Sequence, residues 1–278
     1  MWFFGKEMKQ AHFFIDNRAV IKALKKTTAE AYEEGAYVLH VIADRLLERL
    51  DFIRLHPFRI VDFGTRTGYT TKALLEHYKR ADIISLDSSD FLLNKARKNL
   101  LGWYQGYHFP KMLVSTYTLL PFLDQSVDLI FSNLAFQWSE NLQRTLLECK
   151  RILRPGGLLL FSTVGIDTLK ELRASFSGDK GSHVHFFYDM HDIGDMLTRL
   201  CFIDPVMDLE YLTIRYFSVH QLMTDLKSIG AHNASQNRSR GLMGKHQWQR
   251  MLQSYEKWRS KDHTIPVTVE VIYGHAFL

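Results

Sequence analysis

The chain has 278 residues, of which 46% are hydrophobic and 23% carry a charge, and its formal net charge at pH 7 is +5. This composition excludes a disordered chain, and the length suits one large α/β domain or one domain with an insertion. No apolar run approaches the ~20 residues that a bilayer-spanning helix needs.

The two cysteines, Cys149 and Cys201, stand singly in apolar segments, where we expect core positions and reduced thiols. No spacing of cysteines and histidines resembles a zinc site, so no metal is expected. Residues 1–6 are apolar over too short a stretch for a signal peptide. The sequence therefore predicts a cytoplasmic protein.

The first predicted element is a helix within residues 18–50, where apolar side chains recur on one stripe. Four elements with a distinctive order follow. They are a buried strand at 59–63, a tight loop at 64–68, a helix at 69–78 and a second strand at 82–86. The second strand leads directly into a carboxylate, Asp87.

This order is typical of half of a nucleotide-binding α/β fold. Gly64 and Gly68 would let the backbone approach a ligand, and Asp87 could accept hydrogen bonds from both ribose hydroxyls. Asp62, just before the loop, could attract an ammonium group and would oppose a pyrophosphate. The pattern thus favours a methyltransferase over a dehydrogenase, whose loop aims a helix N-terminus at a pyrophosphate.

The middle of the chain continues the alternation of strands and helices. Further elements are strands at 112–115, 127–131 and 158–163 and a helix at 140–153, which the stretch RPGG at 154–157 should stop. Five strands alternating with helices predict a doubly wound, mostly parallel sheet.

The last third changes character and shows no linker. It is predicted to be helical within 166–201, apart from a polar, Gly-rich interruption at 177–182, and within 219–229 and 245–259. Strands are predicted at 205–216 and 266–276. We expect a single domain over residues 1–278, with an N-terminal helical segment at 18–50, a cofactor-binding core at 58–164 and substrate-side helices and closing strands at 165–278.

A strand beginning Val-Asp-Leu at 127 and the later stretch LRPGG at 153–157 resemble a class I methyltransferase. Further stretches resemble one narrow family, BioC, the malonyl-acyl-carrier-protein O-methyltransferase of bacterial biotin synthesis. They are SNLAFQW at 132–138, TVGIDTLKELR at 163–173, DMHDIGDML at 189–197, GAHN at 230–233 and EVIYGHAF at 270–277. Mitochondrial complex I assembly methyltransferase-like proteins share part of the second stretch, but the terminal GHAF fits BioC better.

The resemblance implies a seven-stranded fold with helical cover, S-adenosylmethionine as cofactor, and methylation of the free carboxylate of a malonyl thioester on acyl carrier protein. A carboxylate is already a nucleophile at neutral pH, so no catalytic base is expected. The mildly basic chain could meet the acidic carrier protein at residues 237–241 with Lys245 and His246. No nucleic-acid or membrane partner is expected, and the oligomeric state stays open.

Nine residues are predicted to bind the cofactor: Asp62, Gly64, Thr65, Arg66, Gly68, Asp87, Ser88, Thr116 and Asn133. Four are predicted on the substrate side: Tyr32, Trp138, His232 and His275. Each has a purely structural alternative: the glycines could merely turn the chain, and Asp87 could cap a helix. Asn133 could tie down its loop, Trp138 could be a wall residue, and the histidines could be structural hydrogen-bonding groups.

Two departures from the family pattern affect the cofactor site. Arg66 replaces the central glycine of the loop, which would cost about 1 to 3 kcal/mol if that position needs a glycine conformation. Thr116 stands where an aspartate should accept a hydrogen bond from the adenine amine, and a hydroxyl lacks the charge. A catalytically degenerate paralogue that acts as a binding or scaffold protein is therefore the alternative hypothesis.

Overall fold

The computed structural model describes residues 15, 16, 21, 29–104, 109–176, 183–234 and 243–278. The helices are α1 (Ala29–Gly35), α2 (Tyr37–Glu48), α3 (Tyr69–His77), α4 (Asp90–Leu101), α5 (Leu142–Ile152), α6 (Lys170–Ser175), α7 (Met190–Arg199), α8 (Val219–Ser228) and α9 (Lys245–Glu256). The strands are β1 (Arg59–Phe63), β2 (Asp82–Asp87), β3 (Lys111–Val114), β4 (Val127–Asn133), β5 (Leu153–Val164), β6 (Ile203–Tyr216) and β7 (Ile265–Phe277). Short 3-10 helices span Arg49–Phe52 and Phe136–Trp138.

The strands form one seven-stranded sheet in the order β3-β2-β1-β4-β5-β7-β6, which confirms the predicted fold class. Parallel pairs join β1 to β2 and β4, β2 to β3, and β4 to β5. β7 runs antiparallel to β5, because Gly157 bonds to Leu278 while Gly165 bonds to Glu270.

The parallel strands are apolar because helices cover such a sheet on both faces. All residues of β1 after Arg59 are buried, and so are those of β2 after Asp82. Aromatic rings fill the space beside these strands: the ring centroid of Phe136 lies 5.5 Å from that of Phe63 and 5.1 Å from that of Phe161. This core holds the carboxyl ends of β1, β4 and β5 in place.

Chain order and sheet order together create a crevice. β1 lies between β2 and β4, so the chain leaves β1 toward one side of the sheet and reaches β4 on the other. The carboxyl ends of β1, β2 and β4 meet at this switch point, which is where open α/β sheets bind ligands.

The chain divides into two compact units. The larger unit comprises Ala36–Thr163, Met190–Leu209 and Ile272–Leu278, and the smaller comprises Met1–Gly35, Val164–Asp189 and Glu210–Val271. An apolar cluster from α6, α8, α9 and β7 forms the core of the smaller unit and includes Leu222, Met251 and Tyr255. The single-domain boundaries stay a prediction.

Two local predictions were wrong. The RPGG stretch belongs to β5, because Gly156 adopts a φ of +78° and its N–H donates to Leu278 at the end of the chain. Cys201 is exposed in the turn after α7, not in the core, whereas Cys149 is buried. Within the predicted helix at 18–50 the structure describes α1 and α2, and most of 17–28 lies outside the described residues.

In the part of the chain that the structure describes, no helix is both long enough and apolar enough to cross a membrane.

Candidate cofactor site

The loop after β1 turns sharply and is held against the end of β2. The N–H groups of Gly64 and Thr65 both donate to the carbonyl of Leu86, at 2.7 and 3.1 Å. Gly64 and Gly68 have φ values of +80° and +91°, which L side chains rarely adopt. The loop therefore needs glycine at both ends, where the sequence has it.

Both glycines also allow close packing. A Cβ on Gly64 would lie 2.4 Å from the Cβ of Ala135, and one on Gly68 would lie 3.2 Å from the Cβ of Ala96. Both contacts are with the protein's own residues, so chain turning and close packing are enough to account for the two glycines. Their contact with a cofactor stays a prediction.

Arg66 occupies the left-handed region with a φ of +52°. Arg66 therefore holds a backbone conformation that favours glycine, at a cost of about 1 to 2 kcal/mol. The Arg66 N–H donates to Oδ2 of Asp87 at 3.1 Å, and its Nη2 donates to the carbonyl of Leu134 at 3.2 Å. The guanidinium therefore reaches from the β1 loop to the segment after β4.

Asp87 lies at the end of β2 with only 2% of its surface exposed. Its Oδ1 accepts the N–H of Ser89 at 2.9 Å, while the Ser89 hydroxyl, not Asp87, caps α4 through the N–H of Leu92. Burial raises the pKa of Asp87, an effect opposed by the Arg66 guanidinium and by nearby backbone N–H groups. The carboxylate keeps accepting capacity for further donors.

Asp62 is fully buried under the loop and is held by α3. The Thr70 hydroxyl donates to both carboxylate oxygens, at 2.9 and 2.8 Å, and the Thr71 hydroxyl donates to Oδ2 at 2.5 Å. Thr65 bonds to the Thr71 hydroxyl at 2.6 Å. Burial raises the pKa of Asp62 to about 6. The carboxylate thus fixes the loop to α3, and its attraction for an ammonium group stays a prediction.

Tyr117 is a crevice residue that the sequence reasoning missed. Thr116, the predicted adenine contact, is exposed, whereas Tyr117 beside it is only 5% exposed. Its ring packs 4.6 Å from that of Phe63, and its hydroxyl lies 3.4 Å from the position of a Cβ on Gly64. An aromatic residue in the loop after β3 was the available signal, but a loop residue's direction depends on tertiary packing.

Asn133 ends β4 and uses both ends of its amide. Its Nδ2 donates to the carbonyl of Leu39 in α2 at 3.0 Å, and its Oδ1 accepts the Ser162 hydroxyl at 2.7 Å. Asn133 therefore ties α2 and β5 to the crevice rim, as its structural reading anticipated.

The four predicted substrate-side residues are divided between the two units. Trp138 and His275 belong to the larger unit and are half-buried. Burial, and then the Arg49 guanidinium, lowers the pKa of His275. Tyr32 and His232 belong to the smaller unit, where Tyr32 is only 1% exposed. Their contact with a substrate stays a prediction.

Of the predicted basic patch, residues 237–241 lie outside the described residues, while Lys245 and His246 are exposed at the start of α9. Among the residues with described positions, no group of three or more His, Cys, Asp or Glu side chains could hold a metal ion. A cavity of about 670 Å³ beside Arg151 and Pro155 lies at the amino end of β5. The glycine loop lies at the other end of the parallel strands, after the carboxyl end of β1. Beside the cavity, Arg151 is paired with Glu148 and Asp124.

The hydrogen-bonding groups and the loop backbone of the crevice fit S-adenosylmethionine. A buried carboxylate at the end of β2 suits ribose hydroxyls, and Gly64 and Gly68 add no side chain of their own to the loop. The hydroxyl of Ser88, the residue after Asp87, is half-buried beside the strand end.

Comparison with known proteins indicates a methyltransferase that uses S-adenosylmethionine. A family model described as a methyltransferase domain matches residues 61–161. A SAM-dependent methyltransferase structure from Thermotoga maritima superposes with a TM-score of 0.50 at 15% identity, covering 88% of this chain and 95% of that one. The fold and the crevice define a class I S-adenosylmethionine-dependent methyltransferase.

Sequence relatives narrow the class. Malonyl-[acyl-carrier protein] O-methyltransferase 1 of Coxiella burnetii is 58% identical over 270 residues, covering 97% of this chain and 91% of that protein. Malonyl-[acyl-carrier protein] O-methyltransferase of Gallionella capsiferriformans is 44% identical, covering 95% and 92%. The chain belongs to the malonyl-[acyl-carrier protein] O-methyltransferase family, which confirms the resemblance in sequence.

Proposed function

We propose that this protein methylates the free carboxylate of malonyl-acyl carrier protein, with S-adenosylmethionine as donor, in the early steps of biotin synthesis. The observation that carries the proposal is 58% identity to the Coxiella burnetii relative over 97% of the chain. That match includes the C-terminal third, where methyltransferases of different specificity differ most.

The chemistry needs little from the protein's own side chains. S-adenosylmethionine supplies, when bound, an electrophilic methyl group on a sulfonium. A carboxylic acid with an ordinary pKa near 4 is ionised at neutral pH and is already the nucleophile. No general base is required, so the protein's contribution is to align the carboxylate in line with the methyl group and to exclude water.

The cofactor is assigned to the crevice at the carboxyl ends of β1, β2 and β4. Asp87 would accept the ribose hydroxyls, and Gly64 and Gly68 would let the loop backbone lie against the ligand. Asp62 would act from beneath by holding the loop. Further contacts from the rim are assigned to Thr65, Ser88, Thr116 and Asn133, and to Arg66 through its backbone.

Tyr32, Trp138, His232 and His275 are each a candidate residue for contact with the acceptor. A malonyl carboxylate that leaves water must gain hydrogen-bond donors, and the tyrosine, tryptophan and histidine side chains can each donate one. The carrier protein is acidic, which matches the basic charge of this chain. The reaction is placed in the cytoplasm, with no nucleic-acid or membrane partner.

The test is methyl-ester formation by the purified chain. Malonyl-acyl carrier protein and S-adenosylmethionine should give a product heavier by one methyl group in intact-protein mass spectrometry. Acetyl-acyl carrier protein, which lacks the free carboxylate, should remain unmodified. Absence of the ester at saturating cofactor would refute the proposed activity.

The degenerate alternative gains no support from the comparisons, because relatives that match nearly the whole chain are named as O-methyltransferases. Ester formation by the wild-type chain would exclude it.

A further inference from the structure

Two side chains of this protein lie across the crevice assigned to the cofactor. Arg66 extends from the glycine loop, and its Nη2 donates to the carbonyl of Leu134 at 3.2 Å. Tyr117 enters from the loop after β3 and is 5% exposed. The two residues thus approach the crevice from different loops of the same unit.

Tyr117 lies where a nucleoside would contact the loop. Its hydroxyl is 3.4 Å from the position of a Cβ on Gly64, so it covers the loop face that carries no side chain. Its ring packs against that of Phe63, which pairs with Leu86 of β2, so it lies beside the strand end where Asp87 is 2% exposed. The carboxylate needed for the ribose is therefore covered.

Resting on the proposed function, we propose that Arg66 and Tyr117 form a clasp that closes the cofactor crevice of the free protein and opens when S-adenosylmethionine binds. Opening breaks the hydrogen bond of Arg66 with Leu134 and the ring contact of Tyr117 with Phe63. The clasp explains how the chain can carry an arginine in its glycine loop and still hold a nucleoside.

The backbone of the clasp is strained on both sides of the crevice. Arg66 and Leu134 have φ values of +52° and +51°, both in the left-handed region. The guanidinium joins these two strained positions directly. The closed arrangement is thus supported by a specific hydrogen bond across the crevice and does not follow from apolar packing alone.

A closed clasp weakens the measured affinity, because only the open fraction of molecules can bind. We expect Arg66→Gly and Tyr117→Ala each to tighten binding of S-adenosylhomocysteine about tenfold, the effect of removing one hydrogen bond or one aromatic contact that holds the closed state. Calorimetry measures the dissociation constant. Stopped-flow fluorescence should show a faster association rate in the same variants.

The matched control is Arg80→Gly, which also replaces an arginine with glycine but at an exposed turn before β2. Its dissociation constant should equal that of the wild type. If Tyr117→Ala fails to fold, Tyr117→Leu keeps an apolar side chain at this position, removes the ring that packs against Phe63, and should still tighten binding.

Two outcomes overturn the clasp and are distinguishable. Tight binding that is equal in wild type, Arg66→Gly and the Tyr117 variant overturns the clasp and leaves the proposed function standing. Absence of binding by every variant at millimolar ligand overturns both, since the crevice then does not take the nucleoside even when opened.

Discussion

At the scale of single residues, the buried carboxylate of Asp62 makes the stability of the fold depend on pH. Burial raises its pKa from 3.8 to about 6. The folded state therefore binds more protons than the unfolded state between these values, and the stability that Asp62 contributes falls as pH rises through this window.

Asp62→Asn removes this titration. Relative to the variant, the wild type should lose on the order of 2 to 3 kcal/mol of unfolding free energy between about pH 4 and pH 7. Urea denaturation of both proteins at the two pH values measures the difference, and the variant's own pH dependence is the control. If the difference in unfolding free energy between the two proteins is the same at both pH values, the raised pKa does not belong to Asp62. The same holds if the wild type gains stability relative to the variant as pH rises.

Two glycines offer a matched test of loop packing. Gly64 and Gly156 have similar φ values, +80° and +78°, but only Gly64 has a neighbour close to its missing Cβ, at 2.4 Å from Ala135. We expect Gly156→Ala to cost about 1 to 2 kcal/mol from backbone strain alone. Gly64→Ala should cost a further 1 to 3 kcal/mol, roughly, from overpacking. Equal losses of unfolding free energy in the two variants, measured by chemical denaturation, would mean that the loop shifts far enough to relieve the contact with Ala135.

Residue-level prediction succeeded where chemistry is local. The φ of Arg66 follows from its place between two glycines in a tight turn, and Asp87 follows from its place at a strand end. The inward turn of Tyr117 could not be predicted, because it depends on packing against the ring of Phe63, which is remote in sequence.

At the scale of elements, Asn133 joins β4 to α2 through the carbonyl of Leu39. Asn133→Ala should cost about 1 to 3 kcal/mol, since it leaves buried partners unsatisfied, and should speed amide exchange in α2. Asn141→Ala is the control, because it removes only the cap of α5 at Arg144. Unchanged exchange in α2 would show that the amide does not anchor the helix.

Element types were predicted well where the apolar pattern is strong, as in β1, β2 and β4. The start of β5 was missed because Pro155 and the two glycines after it are local turn signals. Pairing with Leu278, more than a hundred residues away, overrides those signals. Local sequence does not encode such long-range pairing.

At the scale of the whole molecule, the formal net charge of +5 should assist encounter with an acidic carrier protein. We expect the KM for malonyl-acyl carrier protein to rise several-fold between about 50 and 300 mM salt, with kcat nearly unchanged, because salt screens exposed charges. The control substrate is the malonyl thioester of N-acetylcysteamine, which has no carrier. An equal rise for both substrates would exclude carrier attraction as the cause.

The family and the fold were predictable together, because the stretches that carry the resemblance extend to EVIYGHAF at residues 270–277, near the end of the chain. The division into two compact units was not, since it follows from contacts among distant segments.

The most direct test of the central claim is a crystal structure of the wild-type chain with S-adenosylhomocysteine. We expect the nucleoside against Gly64, its ribose hydroxyls on Asp87, and the side chains of Arg66 and Tyr117 displaced from their contacts with Leu134 and Phe63. A nucleoside bound elsewhere, or an unchanged crevice at saturating ligand, would contradict it.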